Sequence, residues 1–378
     1  MNNPKCPICG SKMKGNGTTK AGTKRWRCPK CGASSVRRID SSAKTLGLFL
    51  RWLFSKDAIA DLATSRATFW RKTSWGVEAL ADSALPTGGG PRVVHLDGIW
   101  LRRKAVVLIA VAGGYVVGWH LARSESASAW AALMLRIPPP KMAVTDGSPG
   151  FSKAAKAIWP ATRIQRCTFH VASQVKRCTT LRPRLEAGIE LLGIANKLPG
   201  AKDAEAATAW LLEYSAWCAR WESFLREFTL KDGKKAYTHE RLRKARRILS
   251  KLVRNGALFT FIEMSQEHGG AWPSTNNAVE SVNARLRDML RRHRGLSLLH
   301  RVKAIFWWCY MHTENPLPAA EILRVMPTDD DVDGLYASAS KESERQDGCQ
   351  TSTDRASSGG VSYAHELQAV DNPVGHTF

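Results

Sequence analysis

The residues whose types and spacing could do chemistry fall into two sets: Cys6, Cys9, Cys28 and Cys31, and the carboxylates Asp97, Asp146 and Glu280. The cysteines form two C-x-x-C units separated by 18 residues. At that spacing each tight turn offers two thiolates, and the pair of turns completes a tetrahedron around one Zn²⁺. Gly10 and Gly32, directly after each second Cys, suit the positive φ of such knuckles. The metal is expected to staple a Lys-, Gly- and Cys-rich stretch, residues 1–40, that has too little apolar material for a core. Beside the second pair, Arg25-Trp26-Arg27 joins positive charge to a stacking surface, which fits a nucleic-acid contact or, alternatively, a protein contact.

Asp97 follows Val93-Val94-His95-Leu96, and Asp146 follows Ala143-Val144-Thr145; each is followed by Gly. Taken singly, either is an ordinary Asp-Gly turn after a strand. On neighbouring strands the two would bring their carboxylates together. Glu280 sits in Ser274-Thr275-Asn276-Asn277-Ala278-Val279-Glu280-Ser281-Val282-Asn283, where Asn277-x-x-Glu280 also fits a helix-capping pattern. The helical period separates an apolar face, Val279, Val282, Leu286 and Leu290, from a polar one, Asn276, Glu280, Asn283 and Arg287. An acid, two amides and arginines on one face suit a site that meets phosphates.

The elements that must position these groups are legible in outline. Lys44 to about Leu80 is helical, and Lys56–Lys72 reads as a helix through Ala63, a turn at Thr64-Ser65 and a second helix bearing Arg66, Phe69, Arg71 and Lys72. That is a helix-turn-helix over about 44–85 offering Arg66, Arg71 and Lys72 to DNA, or else a plain helical hairpin. Pro86-Thr87-Gly88-Gly89-Gly90-Pro91 reads as a linker. A mixed α/β domain over 91–326 follows. Its expected strands are Arg92–Leu96, Lys104–Ala112, Tyr115–Leu121, Met142–Thr145 and about Thr162–Cys167, with a helix over Ser124–Arg136. Ala172 to about Phe261 carries almost no strand signal, has Trp210, Trp217 and Trp221 at helical spacing, and reads as wholly α-helical. Helices are expected again over Thr275–Arg294 and Leu298–Met311, with no strand after the helical stretch.

The chain has 378 residues, 44% of them hydrophobic, and a net charge of +23. It can bury a sizeable core, and the charge calls for a polyanionic partner. Residues beyond Pro327 hold ten acidic against three basic groups among Ser and Gly, a net −7 that leaves +30 on the rest. Such a tail, 327–378, is expected to be disordered. The longest apolar run, Ala105–Trp119, is too short to span a bilayer and is broken by Gly113-Gly114, so no membrane association is expected. The N-terminus lacks the apolar core of an export signal, which places the protein in the cytoplasm, where the cysteines favour metal over disulfides.

Four motifs, H-L-D-G at Asp97, T-D-G at Asp146, C-T-F-H from Cys167 to His170, and T-N-N-A-V-E-S-V-N-A-R-L-R around Glu280, taken in order, resemble the Mutator-like family of insertion-sequence transposases. The N-terminal zinc ribbon and helical segment are similar to that family's zinc-ribbon-bearing branch, and the resemblance covers roughly residues 1–315. It implies a ribonuclease-H-like catalytic domain interrupted by an α-helical insertion at about 172–265. Asp97, Asp146 and Glu280 would be its acidic triad, holding two Mg²⁺ or Mn²⁺ ions for cleavage and joining of double-stranded DNA at terminal inverted repeats, by a protein that is a homo-oligomer on DNA. Cys167 and His170 match the family's Cys-x-x-His motif. As zinc ligands they lack an obvious second pair, and a structural or DNA-positioning role stands beside simple buried packing. A nuclease or resolvase on the same fold, and a DNA-binding regulator without chemistry, are the competing functions.

Overall fold

The computed structural model describes residues 3–6, 8–36, 42–57, 59–62, 64–78, 90–231, 234–318 and 321–322. The expected acidic tail and most of the expected linker lie outside the described residues. The chain divides into two compact units, one of Met1–Trp52, Asp57–Gly76 and Leu317–Val325, the other of Leu53–Lys56, Val77–Pro316 and Met326–Phe378.

In the first unit, β1 (Lys14–Thr18), β2 (Lys24–Arg27) and β3 (Ser34–Val36) form an antiparallel sheet in that order, followed by α1 (Ser42–Phe54), a 3₁₀ turn (Ile59–Leu62) and α2 (Arg66–Glu78). The apolar period of α1 is realised: Leu46, Phe49, Leu50 and Leu53 are buried. Trp52 packs against Phe69 and Trp70 of α2, ring centroids 5.4 and 5.2 Å away. The helix expected over Lys56–Ala63 is instead the single 3₁₀ turn. Its apolar pair, Ile59 and Leu62, is spaced by three, which suits three residues per turn. Ser65 closes the turn by accepting the Thr68 N–H at 3.2 Å and so caps α2.

The second unit is built on a five-stranded mixed sheet of β4 (Val93–Leu101), β5 (Ala105–Ala112), β6 (Tyr115–Ala122), β7 (Met142–Thr145) and β8 (Arg163–Arg166), in the order β6-β5-β4-β7-β8. β4, β5 and β6 are antiparallel neighbours, while β7 runs parallel to β4 and β8 parallel to β7. Every residue of β5 is buried, as a strand covered on both faces must be. β4 runs five residues past its expected end, so Asp97-Gly98 is strand interior, paired with Ile109 and Leu108, and not a turn. The reversal comes later, at Arg102-Arg103, both with positive φ (49° and 58°).

One face of the sheet carries α3 (Ala127–Met134) and α4 (Pro149–Ile158), packed around Trp130, Phe151 and Trp159 with Val94, Leu96, Val106 and Leu108. On the other side Met142 and Val144 meet Phe261, Ile262 and Met264 of α10 (Thr260–His268). α11 (Asn277–Arg292) lies against β4 and β5, and α12 (Leu298–Met311) against β6. Between β8 and α10 the chain forms α5 (Thr168–Thr179), α6 (Glu186–Lys197), α7 (Ala204–Arg220), α8 (Glu222–Leu225), β9 (Phe228–Lys231), β10 (Lys234–Tyr237) and α9 (Glu240–Arg254). This stretch has its own core: Trp210, Tyr214 and Trp217 stack along α7 against Leu191, Ile194 and Leu249. The indole N–H groups of Trp210 and Trp217 donate to the Ile194 and Ala187 carbonyls. Trp221 is less buried and donates to Glu190. The β9–β10 hairpin corrects the expectation of a wholly helical stretch. Its strands are four residues long and largely polar, too short for an alternating pattern to register, and they are secured by stacking of Phe228 on Tyr237.

Candidate functional site

The four N-terminal cysteines converge, with all four Sγ atoms within 4.8 Å of one another. Cys6 and Cys31 are 3.5 Å apart and Cys9 and Cys28 3.4 Å, close to the roughly 3.8 Å edge of a tetrahedron with 2.3 Å Zn–S bonds. The two knuckles repeat one geometry. Gly10 and Gly32 have φ of 68° and 72° and donate their N–H groups to the Cys6 and Cys28 carbonyls. Hydrogen bonds with Ser11 bring the Cys9 thiol down to about 6. This group could hold a zinc ion. The accompanying core is only Cys6, Met13, Trp26 and Cys28, far too little to hold the segment by burial alone. Trp26 is part of that core at 6% exposure, so it does not present the stacking surface expected of it; Arg25 and Arg27, on the alternate positions of β2, are exposed.

In the mixed sheet, Leu96 pairs with Thr145, so Asp97 within β4 and Asp146 just past β7 stand at the same level of neighbouring strands. Burial, reinforced by Asp146, pushes the Asp97 carboxyl above the usual carboxylate range, against hydrogen bonds from the Gly98 N–H (2.8 Å) and Asn283 Nδ2 (2.7 Å). Glu125, which the sequence did not single out, lies near both aspartates. It accepts the Trp100 indole N–H at 2.9 Å, and burial followed by those two neighbouring charges raises its pKa.

The first turns of α11 are tied to this corner. Asn276 donates from Nδ2 to the Leu96 carbonyl at 2.8 Å, and its Oδ1 lies 3.3 Å from His95 Nδ1. Asn276 and Asn283 are both fully buried. They were expected at DNA; instead their amides hold Asp97 and the Leu96 carbonyl of β4. The cap position falls on Asn276, one residue before the Asn277 of the expected capping pattern, and Asn276 makes no side-chain cap bond, so Asn277-x-x-Glu280 does not serve as a capping box. Glu280, between the two asparagines on the same face, is half-buried, with Oε1 3.4 Å from His170 Nδ1. Cys167, at the start of α5, accepts the Asn276 backbone N–H at 3.3 Å. The thiol and His170 perturb each other: a hydrogen bond with Cys167 raises the imidazole pKa, while burial pushes the thiol up and His170 overcomes it, for a net lowering. Among the described residues, Glu280 therefore clusters with Cys167 and His170 within 4.8 Å, and the three carboxylates do not form one such cluster.

A groove of about 610 Å³ opens beside Asp146 and is lined by Gly147, Lys156, Arg166, Gln174, Lys251 and Asn255, among others. Arg166 is 7% exposed; its Nη2 donates to Gln174 Oε1 at 3.3 Å, and its Nη1 is buried without a hydrogen-bond partner. The guanidinium lies over Gly147, where φ is +90° and any Cβ would collide with it, so glycine is required twice over. α9 borders the groove and carries exposed Arg241, Lys244, Arg247, Lys251 and Arg254, a stripe about 20 Å long. Among the described residues none of these five is in an ion pair. The stripe was missed in the sequence, although its 3-3-4-3 spacing of cations is a helix-period signal. Arg66, Arg71, Lys72 and Arg287 are exposed, as a DNA contact requires.

Over 73 residues the chain is 37% identical to the transposase for insertion sequence element IS6120 of Mycolicibacterium smegmatis. The match covers 18% of this chain and spans only 20% of that protein's length. No protein-family model matches the chain. Among the described residues no helix is long and apolar enough to cross a membrane.

Replacing Cys28 by Ser is expected to release one zinc per chain and to make residues 1–40 protease-sensitive, because the thiolates substitute for a core; metal analysis and limited proteolysis check this. The raised Asp97 pKa has a signed consequence. The folded state retains a proton that the unfolded state releases, so without metal the Asp97 contribution to stability falls as pH rises from the ordinary value of 3.8 through the raised one. Urea unfolding over that interval should show a smaller fall for Asp97→Asn than for the unsubstituted protein.

Proposed function

We propose that the chain is a DNA transposase of the acidic-triad type, with a ribonuclease-H-like catalytic domain, in which Asp97, Asp146 and Glu280 carry the cleavage and joining of insertion-sequence ends. The observation that carries this reading is the Asn283–Asp97 hydrogen bond, which fixes the Glu280 face of α11 against Asp97 in β4, beside the end of β7 that bears Asp146. The mixed sheet and the largely helical stretch between Asp146 and Glu280 support the fold assignment, and the partial likeness to an insertion-sequence transposase supports the activity. The Mutator-like family, in its zinc-ribbon branch, is the affiliation that the ordered motifs favour.

Two adjacent aspartates, one held protonation-prone by burial and the other's charge, form a site that a divalent cation would relieve. Two Mg²⁺ or Mn²⁺ ions would supply activation of the attacking oxygen and stabilisation of the leaving 3′ oxygen. In this reading Glu280 leaves His170 to complete the oxygen set, and the buried amides hold Asp97 in place meanwhile. Water attacks at the element end, and the freed 3′-OH then attacks target DNA. The groove beside Asp146 takes the phosphodiester backbone: Arg166 Nη1 is a buried donor in want of an acceptor, and Lys156, Lys251 and the α9 stripe provide counter-charge. The ribbon, with Arg25 and Arg27, and α2, with Arg66, Arg71 and Lys72, contact the terminal repeats, α2 as the helix that enters the groove. The partner is double-stranded DNA, and the acting form is a homo-oligomer assembled on it.

The expected outcome is that Asp97→Asn, Asp146→Asn and Glu280→Gln each reduce joining of a labelled terminal-repeat oligonucleotide into plasmid, in Mg²⁺ or Mn²⁺, to background. Binding measured by gel shift in Ca²⁺ should persist. Retention of near-normal joining by any of the three removes that residue from the site. Lys251→Ala with Arg254→Ala should weaken binding of any DNA sequence and lower the log–log salt slope by about 2; an unchanged slope places the backbone elsewhere.

A further inference from the structure

Neither Cys167 nor His170 takes part in the proposed strand transfer, yet both are built into the same corner as Glu280. His170 Nδ1 and Glu280 Oε1 face each other at 3.4 Å, each buried and without a hydrogen bond. An imidazole nitrogen and a carboxylate oxygen so placed share either a proton or a cation between them. Cys167 Sγ lies within 4.8 Å of both, at the N-terminus of α5 and accepting a backbone N–H, two features that favour its thiolate. A tetrahedral Zn²⁺ site with N and O ligands has an edge of about 3.3 Å between them, close to the observed 3.4 Å. The side chains of His170 and Glu280 are 30% and 37% exposed, which leaves a path for an ion and room for a water as fourth ligand.

We propose that Cys167 Sγ, His170 Nδ1 and Glu280 Oε1 form a second metal site, selective for a soft or borderline divalent cation such as Zn²⁺, whose occupation withholds Glu280 from catalysis. The selectivity follows from the ligands: thiolate and imidazole prefer Zn²⁺, whereas Mg²⁺ demands oxygen. Binding releases the thiol proton to solvent and changes no oxidation state. The site is separate from the N-terminal cysteine cluster. Its inhibitory consequence rests on the assignment of Glu280 to the acidic triad, while its occupancy does not.

The test uses the full chain. After equilibration with micromolar Zn²⁺ and desalting, metal analysis should find two zinc per chain, falling to one in Cys167→Ser, in His170→Gln and, through the other site, in Cys28→Ser. Joining in Mg²⁺ should drop about tenfold or more on adding Zn²⁺ to the unsubstituted protein and much less, relative to its own zinc-free rate, in Cys167→Ser. One zinc per chain, lost only with Cys28→Ser, overturns the site; so do two that Cys167→Ser and His170→Gln both retain. Loss of the second zinc with unchanged zinc inhibition overturns the regulatory role alone. Absence of joining in every zinc-free sample refutes the transposase reading and leaves the metal count to decide the site. Should both variants misfold by circular dichroism, Co²⁺ added to the chain with Cys6, Cys9, Cys28 and Cys31 all replaced by Ser decides: a thiolate-to-cobalt charge-transfer band supports the site, and none overturns it.

Discussion

The buried amides of Asn276 and Asn283 hold the chemistry of this molecule together. Asn276 spends its side chain on the Leu96 carbonyl and His95, and its backbone N–H on Cys167; Asn283 spends its donor on Asp97. Three segments distant in sequence, β4, the start of α5 and α11, thus meet through two residues. Because both are fully enclosed, losing either partner would strand a polar group away from water, which typically costs about 1–3 kcal/mol. Apolar packing of Val279, Val282 and Leu286 fixes which face of α11 turns inward, but it tolerates sliding. The amide bonds do not, and they set the register of Glu280 against the sheet.

Much of this was legible because periodicity is a local property. The short apolar runs of β5, β6 and β7, the amphipathic stripe of α11, and the two Cys knuckles each announce themselves within a few residues. The errors share a cause too. Nothing local distinguishes Asp97-Gly98 in a strand from Asp-Gly in a turn; the pairing with β5 decides it, and Arg102-Arg103 takes the turn without a glycine. Polar residues on the inner face of α11 were read as facing DNA because an unpaired sequence does not reveal that Asp97 and the Leu96 carbonyl lie opposite. Trp26 was read as a surface for bases because it stands between Arg25 and Arg27 in the sequence, yet a small segment places its one large ring in its core. Glu125 and Arg166 have no motif; their importance arises from where the sheet brings them.

The charge distribution is consistent with this placement. Asp97 within β4, Asp146 at the end of β7 and Glu125 lie near one another, and cations line the groove beside them and the outward face of α9. Five like charges on one helix repel one another by a few tenths of a kcal/mol per adjacent pair, a standing cost that a polyphosphate backbone removes. The same stretch buries its tryptophans, so it is a rigid platform for charge and not a stacking surface for unpaired bases. Recognition there would follow backbone shape and leave sequence to other parts of the chain.

Asn276 and Asn283 reach partners 180 and 186 positions earlier in the chain. Contacts of such long range close late in folding, since the intervening chain must first be ordered. On a ribosome the delay has a floor: Glu280 emerges 134 residues after Asp146, on the order of ten seconds later at ordinary elongation rates. Throughout that interval the nascent polypeptide holds two of its acids but neither the third nor the amides that orient the first. Under the proposed assignment, a chain that stops short of Asn276 would carry the two aspartates without the third acid and without the amides that orient the first.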